Sequence, residues 1–259
     1  MPLGVTICIF HAVKANTWLT PDWPIPTTVR ALTTTRQGGI SQAPFDSLNL
    51  GDHVGDLPQH VQHNRHSLQI NADLPNTPMW LQQTHSCTVI ESRDWRSGIE
   101  ADAIITSQTN QVCAILTADC LPILLSHRHG KQVAAIHAGW RGLANGIVEQ
   151  TLTQLNHPAS DFYAWLGPAI GPAAFEVGDE VRNIFIAHNA TAKAAFKANR
   201  PGHHLADIYQ LARYRLRAAG VSHIYGGQAC TLGSPEQFFS YRRDGVTGRM
   251  ASLIWITPE

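Results

Sequence analysis

Two neighbouring apolar runs in the middle of the chain, Ile115–Leu125 and Gln132–Ile136, most constrain its fold. Both are rich in branched aliphatic residues, which is typical of strands buried in a sheet. The polar connection Ser126–Lys131 has the composition of a turn, so we predict that the runs are neighbouring strands. The first strand would carry Cys120 into the sheet, and the second would end at His137, shortly before a helix.

Strand-like stretches recur on both sides of these runs and alternate with amphipathic, helix-like segments. Neither a long linker nor an internal repeat divides the chain, and the βαβ rhythm of a doubly wound sheet is absent. The sequence therefore predicts a single α+β domain with mixed β-sheets. The predicted strand-like pieces are Thr27–Arg36, Met79–Thr84, Cys87–Glu91, Ala101–Thr106, Val112–Leu116, Leu121–Ser126, Tyr163–Leu166, Phe238–Tyr241 and Arg249–Ile256, with a further strand at Ile224. The predicted helices are Asp56–Ile70, Gly142–Leu155 (entered near Trp140), Val177–His188 and Leu205–Ala219.

Charge and cysteine usage exclude several classes of protein. Lysine plus arginine equals aspartate plus glutamate, at 19 each, so no basic field recruits nucleic acid or an anionic membrane. No apolar run approaches the roughly 20 residues of a membrane helix. Five cysteines without framework spacing predict free thiols in a reducing cytoplasm. The apolar start Met1–Phe10 lacks the positive region and cleavage site of a secretory signal, so a cytoplasmic location is expected.

Three residues at the ends of predicted strands are candidate metal ligands: His85, Cys120 and His137. Two imidazoles and one thiolate leave the fourth position of tetrahedral zinc for water, which is the composition of a catalytic zinc site. Zinc lowers the pKa of such a water toward about 7. Spacing alone leaves an alternative open, in which a buried core cysteine lies apart from two hydrogen-bonded histidines.

A second cluster, Phe238–Arg249, contains two adjacent arginines, Arg242 and Arg243, between aromatic residues and glycine turns. Guanidinium groups bind phosphate or carboxylate bidentately, so this segment predicts an anion-binding loop. A charged hairpin is the alternative. Arg36 and Arg65 are further candidates for binding the same anion. Trp140 and Phe239 are candidates for stacking on a flat ring beside it.

Several motifs together resemble the YfiH-type family, also called laccase-domain proteins, zinc-dependent purine nucleoside phosphorylases or peptidoglycan editing factors. The resemblance runs from about Trp18 to the C-terminus. It makes residues 1–17 an N-terminal extension and residues 18–259 a single domain of this type. The matching motifs are Thr33–Ser41, Ser47–Gly51, Thr117–Pro122, His137–Gly142, Gly167–Pro172, Phe175–Gly178, Phe239–Gly245 and Thr247–Arg249.

The resemblance implies a four-layer α/β/β/α architecture, similar to that of deamidating toxins with a Cys–His pair. It also implies a zinc ion on His85, Cys120 and His137, with copper as the less favoured metal. The implied activity is phosphorolysis of adenosine, inosine, guanosine and methylthioadenosine to free base and ribose 1-phosphate, plus hydrolytic deamination of adenosine. The implied partners are the nucleoside and phosphate, bound by a monomer or a small homo-oligomer.

Residue roles follow from that activity. Deamination requires an activated water, and a His/His/Cys zinc shell is a known kind of generator for it. Deaminases of the cytidine type add a glutamate in an H-x-E sequence, which is absent around His85 and His137. Asp119 is therefore our hypothesis for the proton carrier. The predicted catalytic residues are Cys120, His137 and Asp119, and the predicted phosphate or substrate contacts are Arg65, Arg242, Arg243 and Trp140.

Three alternatives stay open at this stage. In a cysteine hydrolase or amidase that edits peptidoglycan precursors, Cys120 would be the nucleophile and His137 its base, without a metal. A copper polyphenol oxidase would need paired H-x-H motifs, of which only His127-Arg-His129 occurs. A non-enzymatic protein that binds a partner would keep the three ligands for stability.

Overall fold

A computed structural model describes residues 18–258; the predicted extension, residues 1–17, lies outside the described residues. The strands are β1 (Trp18–Leu19), β2 (Val29–Thr34), β3 (Val89–Glu91), β4 (Ala103–Thr106), β5 (Cys113–Thr117), β6 (Leu121–His127), β7 (Val133–Ala138), β8 (Phe162–Leu166), β9 (Glu176–Gly178), β10 (Phe196–Arg200), β11 (His203–Ala206), β12 (His223–Gly226) and β13 (Met250–Ile256). The helices are α1 (Pro58–Asn71), α2 (Trp140–Asn145), α3 (Ile147–Gln154), α4 (Asp179–His188), α5 (Ile208–Ala218) and α6 (Tyr241–Asp244). Within this range no helix combines the length and the apolar character that crossing a bilayer requires.

The strands form two large sheets and one small one. The first sheet has the order β1-β2-β13-β5 and is antiparallel. The second has the order β12-β8-β6-β7-β4-β3 and is mixed, because β12 and β3 run parallel to their neighbours. A three-stranded sheet, β10-β11-β9, lies beside α4. The predicted α+β class with mixed sheets is confirmed.

The two large sheets pack face to face between helices. Strand β6 is buried along its whole length and is apolar from Leu121 to Leu125, as expected of a strand covered on both faces. Its Leu124 packs into the core between the sheets, whereas Ile123 and Leu125 point to the opposite face, toward α3 and α5. Helix α1 covers the outer face of the antiparallel sheet through Leu68. The layers are therefore α/β/β/α, as the resemblance implies.

The apolar run Ile115–Leu125 is not one continuous strand, and the two separate strand-like pieces predicted there, Val112–Leu116 and Leu121–Ser126, are confirmed. The run divides at Ala118–Cys120, so β5 belongs to the antiparallel sheet and β6 to the mixed sheet. Asp119 makes this change of direction with a positive φ of 87°, which non-glycine residues adopt infrequently. Cys120 consequently lies at the turn between the sheets. The predicted pairing of β6 with β7 is confirmed, with Pro122 opposite His137.

Other differences have local causes. The helix predicted near Trp140 begins there, but Gly146, with φ 99°, divides it into α2 and α3. The strand predicted over Phe238–Tyr241 is wrong, because the Ser240 hydroxyl accepts a hydrogen bond from the Arg243 N–H and starts α6. The predicted strand Met79–Thr84 makes isolated bridges instead of a ladder.

Candidate metal centre and catalytic cavity

His85, Cys120 and His137 converge, although they are 35 and 17 residues apart in the sequence. One ligand atom of each residue lies within 4.8 Å of the others. His85 stands in the loop before β3 with a positive φ of 61°, and His137 lies near the end of β7. Three segments that the fold brings to one edge of the mixed sheet therefore supply the group.

The spacing of these side chains fits a metal ion. The Cys120 Sγ is 3.7 Å from the His85 Nε2. In a tetrahedral site, metal–nitrogen distances near 2.05 Å and metal–sulfur distances near 2.3 Å separate the two ligand atoms by about 3.6 Å. The three residues could hold a metal ion, and a tetrahedral ion on them would have its fourth position for solvent or substrate.

A buried carboxylate, Asp102, orients both histidines. Its Oδ1 accepts a hydrogen bond from the His137 Nδ1 at 2.7 Å and from the His85 backbone N–H at 3.1 Å. Its Oδ2 accepts from the Ser86 backbone N–H and hydroxyl and from the Thr84 N–H. Because Nδ1 of His137 is used in this way, its Nε2 is the atom directed at the metal position. A carboxylate behind a ligating histidine is the usual second layer of a metal site.

The protonation states agree with this arrangement. Burial raises the pKa of Asp102, but hydrogen bonds from His137 and Ser86 outweigh it and lower that pKa to about 2. Burial also opposes charge on Cys120, yet the charge and hydrogen bonds of His137 and His85 lower the pKa of the thiol to about 6. Burial lowers the pKa of His137, whereas the Cys120 thiolate and Asp102 together raise it to about 9. Without a metal, Cys120 and His137 thus form a thiolate–imidazolium pair.

Gly139 permits the close approach of the ligands. A Cβ at this position would lie 2.9 Å from the His85 Cδ2 and 3.0 Å from the Cys120 Sγ. Its backbone angles, φ −60° and ψ 158°, are open to any residue, so the requirement for glycine is steric.

We therefore expect Gly139→Ala to weaken metal binding at least about tenfold, because the methyl group separates two ligands. Metal affinity is measured by competition with a chromophoric chelator. Gly233→Ala is the matched control, since its added Cβ would meet the Cys230 Sγ at an ordinary 3.5 Å. Equal metal affinity for the two variants would contradict the steric role.

The three ligands open into a cavity of about 490 Å³. One wall is apolar and aromatic, and it includes Trp140, Ile170, Phe175, Ile208 and Tyr241. A volume and lining of this kind are typical of sites for small organic molecules. These residues offer aromatic faces to a flat ring. Trp140, which was predicted to stack on such a ring, is among them.

Three arginines, Arg141, Arg242 and Arg249, line the same cavity. None of them forms an ion pair within the part of the chain that the structure describes. The Arg141 guanidinium lies over the Trp140 ring, and the Arg242 Nη1 donates to the Glu176 carbonyl oxygen. Asp119 is the sole acidic residue of the lining. The cavity is therefore suited to an anion.

The Asp119 carboxylate is hydrogen-bonded to the segments around the start of α6. It accepts hydrogen bonds from the Thr231 hydroxyl at 2.5 Å, the Ser240 hydroxyl at 3.0 Å and the Arg242 backbone N–H at 2.7 Å. These contacts fasten the start of α6 and so position Tyr241 and Arg242. The geometry gives Asp119 a positioning role, and its proton transfer stays a prediction.

Several other predicted contacts lie elsewhere. Arg65 donates to the Leu50 carbonyl oxygen beneath Trp80. Arg243 is held by three backbone carbonyls and Asp244. Arg36 pairs with Asp46 and covers the ring of Phe239, which is fully buried. None of these four predicted residues, Arg36, Arg65, Arg243 and Phe239, lines the cavity.

Residues that sequence reasoning missed complete the site. One feature of the sequence could have identified Asp102: it is an acidic residue inside a predicted buried strand, and a buried charge requires hydrogen-bonding or charged partners. Arg249 stood at the end of a family motif, but nothing in the sequence distinguished it from Arg243. Arg141, His53 and Tyr241 reach the cavity through the packing of separate loops.

Within residues 18–258, the group of His85, Cys120 and His137 is the one set of histidine, cysteine and acidic side chains spaced to hold a metal ion. The His127-Arg-His129 pair of the copper alternative lies at the β6–β7 turn, where the His127 ring packs against His157. It contributes no ligand to the cavity.

Known proteins resemble the chain over nearly its whole length. The family described as multi-copper polyphenol oxidoreductase laccase matches residues 30–257. Purine nucleoside phosphorylase PA4543 of Pseudomonas aeruginosa is 54% identical over 243 residues, covering 93% of this chain and 99% of that protein. Purine nucleoside phosphorylase YfiH of Shigella flexneri is 51% identical, covering 92% and 98%. The crystal structure of Neisseria meningitidis protein NMB0706 superposes with a TM-score of 0.90 at 47% identity, covering 93% and 100%.

Proposed function

The chain belongs to the YfiH-type, laccase-domain family, and on that premise we propose that it is a zinc-dependent purine nucleoside phosphorylase. Its proposed substrates are adenosine, inosine, guanosine and methylthioadenosine, with deamination of adenosine as a second activity. One observation carries the proposal: the candidate metal ligands, several aromatic residues and three arginines that form no ion pair within residues 18–258 line a single cavity.

The apolar wall supports the assignment of a purine substrate. A purine is a flat aromatic ring that gains from stacking and from burial of its faces. Trp140 and Phe175 supply aromatic faces, while Ile170 and Ile208 supply aliphatic contacts. In this proposal the base packs on these residues. The ribose is directed toward the metal ligands for phosphorolysis, and C6 of adenine is directed toward them in a second pose for deamination.

Phosphorolysis then requires a phosphate beside the ribose. An oxygen of hydrogen phosphate forms a bond to C1′ while the C1′–N9 bond breaks. The electron pair of that bond leaves with the purine, and the proton of hydrogen phosphate ends on the purine. Positive charge develops on the ribose in this step, so a positioned phosphate dianion favours it. We assign a phosphate contact to Arg242, which Asp119 fixes through its backbone N–H.

The metal site fits the deamination half of the proposal. The thiolate with two imidazoles is a ligand set that suits zinc. A zinc ion on these residues supplies Lewis acidity and lowers the pKa of water toward about 7. Asp102 holds His137 by Nδ1 and so directs Nε2 toward Cys120 and the metal position, while Gly139 leaves room for His85 and Cys120 to meet. Deamination exchanges the C6 amine of adenosine for the oxygen of water and releases ammonia.

The test is an assay of the zinc-loaded protein with and without phosphate. Inosine should yield hypoxanthine and ribose 1-phosphate only when phosphate is present. Adenosine should yield adenine with phosphate and inosine without it. If no nucleoside releases base at full zinc occupancy, the proposal fails and the non-enzymatic alternative gains.

The cysteine hydrolase is the second candidate, and the thiolate–imidazolium pair favours it. For the metal-free protein, we expect alkylation of Cys120 by iodoacetamide to follow a pH midpoint near the thiol pKa of about 6. The sign follows from the lowered pKa, since the thiolate persists above that pH and is lost by protonation below it. A midpoint near an ordinary thiol pKa would contradict the predicted pair.

Zinc distinguishes the two candidates in the same experiment. If Cys120 is a metal ligand, stoichiometric zinc should protect it from alkylation across the pH range. Rapid alkylation of the zinc-loaded protein, or a stable covalent adduct with a peptidoglycan precursor, would favour the hydrolase. Copper retained in place of zinc after purification with both metals supplied would favour the oxidase.

A further inference from the structure

Arg249 presents unused hydrogen-bond donors to the cavity. Its Nη1 donates to the carbonyl oxygens of Thr247 and Gly248 at 2.9 and 3.0 Å. Its Nε and Nη2 make no hydrogen bond or ion pair with any residue in the range 18–258. Neither atom is enclosed by protein, whereas the residue as a whole is half-buried. Two donors of a guanidinium are thus left for a molecule inside the cavity.

The stem of Arg249 is held in place from behind. Its backbone N–H donates to the Asn49 Oδ1, and its carbonyl accepts from the Leu50 N–H. Gly51 packs so closely on the stem that a Cβ there would lie 2.8 Å from the Arg249 Cγ. These contacts direct the guanidinium at the cavity. In Arg65, by contrast, Nε and Nη2 both donate to the Leu50 carbonyl oxygen.

A hydroxyl on the neighbouring strand is also unsatisfied. The Thr117 Oγ1 is buried and has no hydrogen-bond partner among residues 18–258, although the residue lines the cavity. Thr117 pairs with Met250, the first residue of β13, and Arg249 directly precedes that strand, so both residues lie at the same end of the antiparallel sheet. A buried hydroxyl without a partner is costly, and such groups are retained where a ligand completes the bond.

We propose that Arg249 and Thr117 hold the phosphate co-substrate at the inner end of the cavity, next to Cys120, while Arg242 contacts it from the exposed side. This assignment rests on the proposed phosphorolysis. A phosphate oxygen accepts from Nε and Nη2 of Arg249 in the bidentate manner that guanidinium favours, and another accepts from the Thr117 hydroxyl. The subsite places the attacking oxygen on the metal side of the ribose.

Thr117→Val is the sharpest test, because it removes one hydroxyl and keeps the shape. We expect its KM for phosphate to rise about fivefold to tenfold, because one hydrogen bond to the anion is lost. The midpoint of thermal unfolding should not fall, since the free protein loses an unsatisfied group. The matched control is Thr247→Val, which removes another buried, unpartnered hydroxyl outside the cavity and should leave the KM unchanged.

Arg249→Met should raise the KM for phosphate about 100-fold, because two charge-assisted hydrogen bonds are lost together. Binding of inorganic phosphate is also measured without turnover, as the rise in the unfolding midpoint that the zinc-loaded protein shows on adding phosphate. We expect this rise in the wild type and in Thr247→Val, and its loss in Arg249→Met.

The outcomes separate the subsite from the function. Unchanged KM for phosphate in Thr117→Val and Arg249→Met, with active wild type, overturns the subsite and leaves phosphorolysis standing. If the wild type releases no base, yet phosphate stabilises it and not Arg249→Met, the anion subsite stands and the proposed reaction falls. If phosphate stabilises both proteins equally, the assignment of Arg249 is wrong.

Discussion

Cys120→Ser is expected to abolish stoichiometric zinc binding and to lower kcat/KM for inosine by roughly 10³-fold or more. The reason is that Cys120 supplies the one soft, anionic ligand of the group, placed 3.7 Å from the His85 Nε2. Serine keeps the size but stays protonated near neutral pH, so two imidazoles would remain to hold the ion. Zinc content after gel filtration and initial rates in phosphate measure the two effects.

The control is Cys87→Ser, which changes a thiol outside the cavity that contacts the Gly142 carbonyl oxygen at 3.6 Å. It should retain zinc and most of the activity. Phosphorolysis that survives in a zinc-free Cys120→Ser protein would remove the metal from the proposed mechanism. Loss of zinc without loss of activity would have the same consequence.

Asp102→Asn is expected to weaken zinc binding about 10- to 100-fold, because the carboxylate orients His137 and carries the turn at His85. It should also lower the free energy of unfolding by about 3–5 kcal/mol, since a buried charged pair loses one partner. The stability cost should be fully present above the unfolded pKa of 3.8, decline as the pH falls toward the folded pKa of about 2, and be absent below it, where the native carboxyl is itself protonated.

A second buried carboxylate provides the matched control for this variant. Asp56 accepts hydrogen bonds from the Ser41 hydroxyl, the Asn49 amide and the Leu57 N–H, but it is remote from the ligands. Asp56→Asn should lower stability while leaving zinc affinity unchanged. Nitrogen NMR of His137 adds a specific readout, because the wild type should hold its proton on Nδ1. If both variants reduced zinc affinity equally, Asp102 would be a stability residue alone.

Arg65 and Arg243 show why some predicted contacts did not reach the site. Both residues were predicted to contact phosphate or substrate. Their guanidinium groups instead donate hydrogen bonds to backbone carbonyl oxygens of irregular loops. A loop without ladder hydrogen bonds has carbonyl oxygens that require donors. Which arginine fills that need, and which faces the cavity, depends on how distant loops pack.

Composition and periodicity by themselves determined the α+β class, the β6–β7 pair, the helix after His137 and three candidate ligands. These features depend on the pattern of apolar residues and on the residue types within contiguous segments of the chain, so they can be predicted without knowing the tertiary contacts. Tertiary structure alone decided that Asp119 turns the chain between two sheets, that Asp102 lies behind both histidines and that Arg249 faces the cavity. Such facts depend on contacts between segments far apart in the chain, and the energy of those contacts exists only after the sheets have packed.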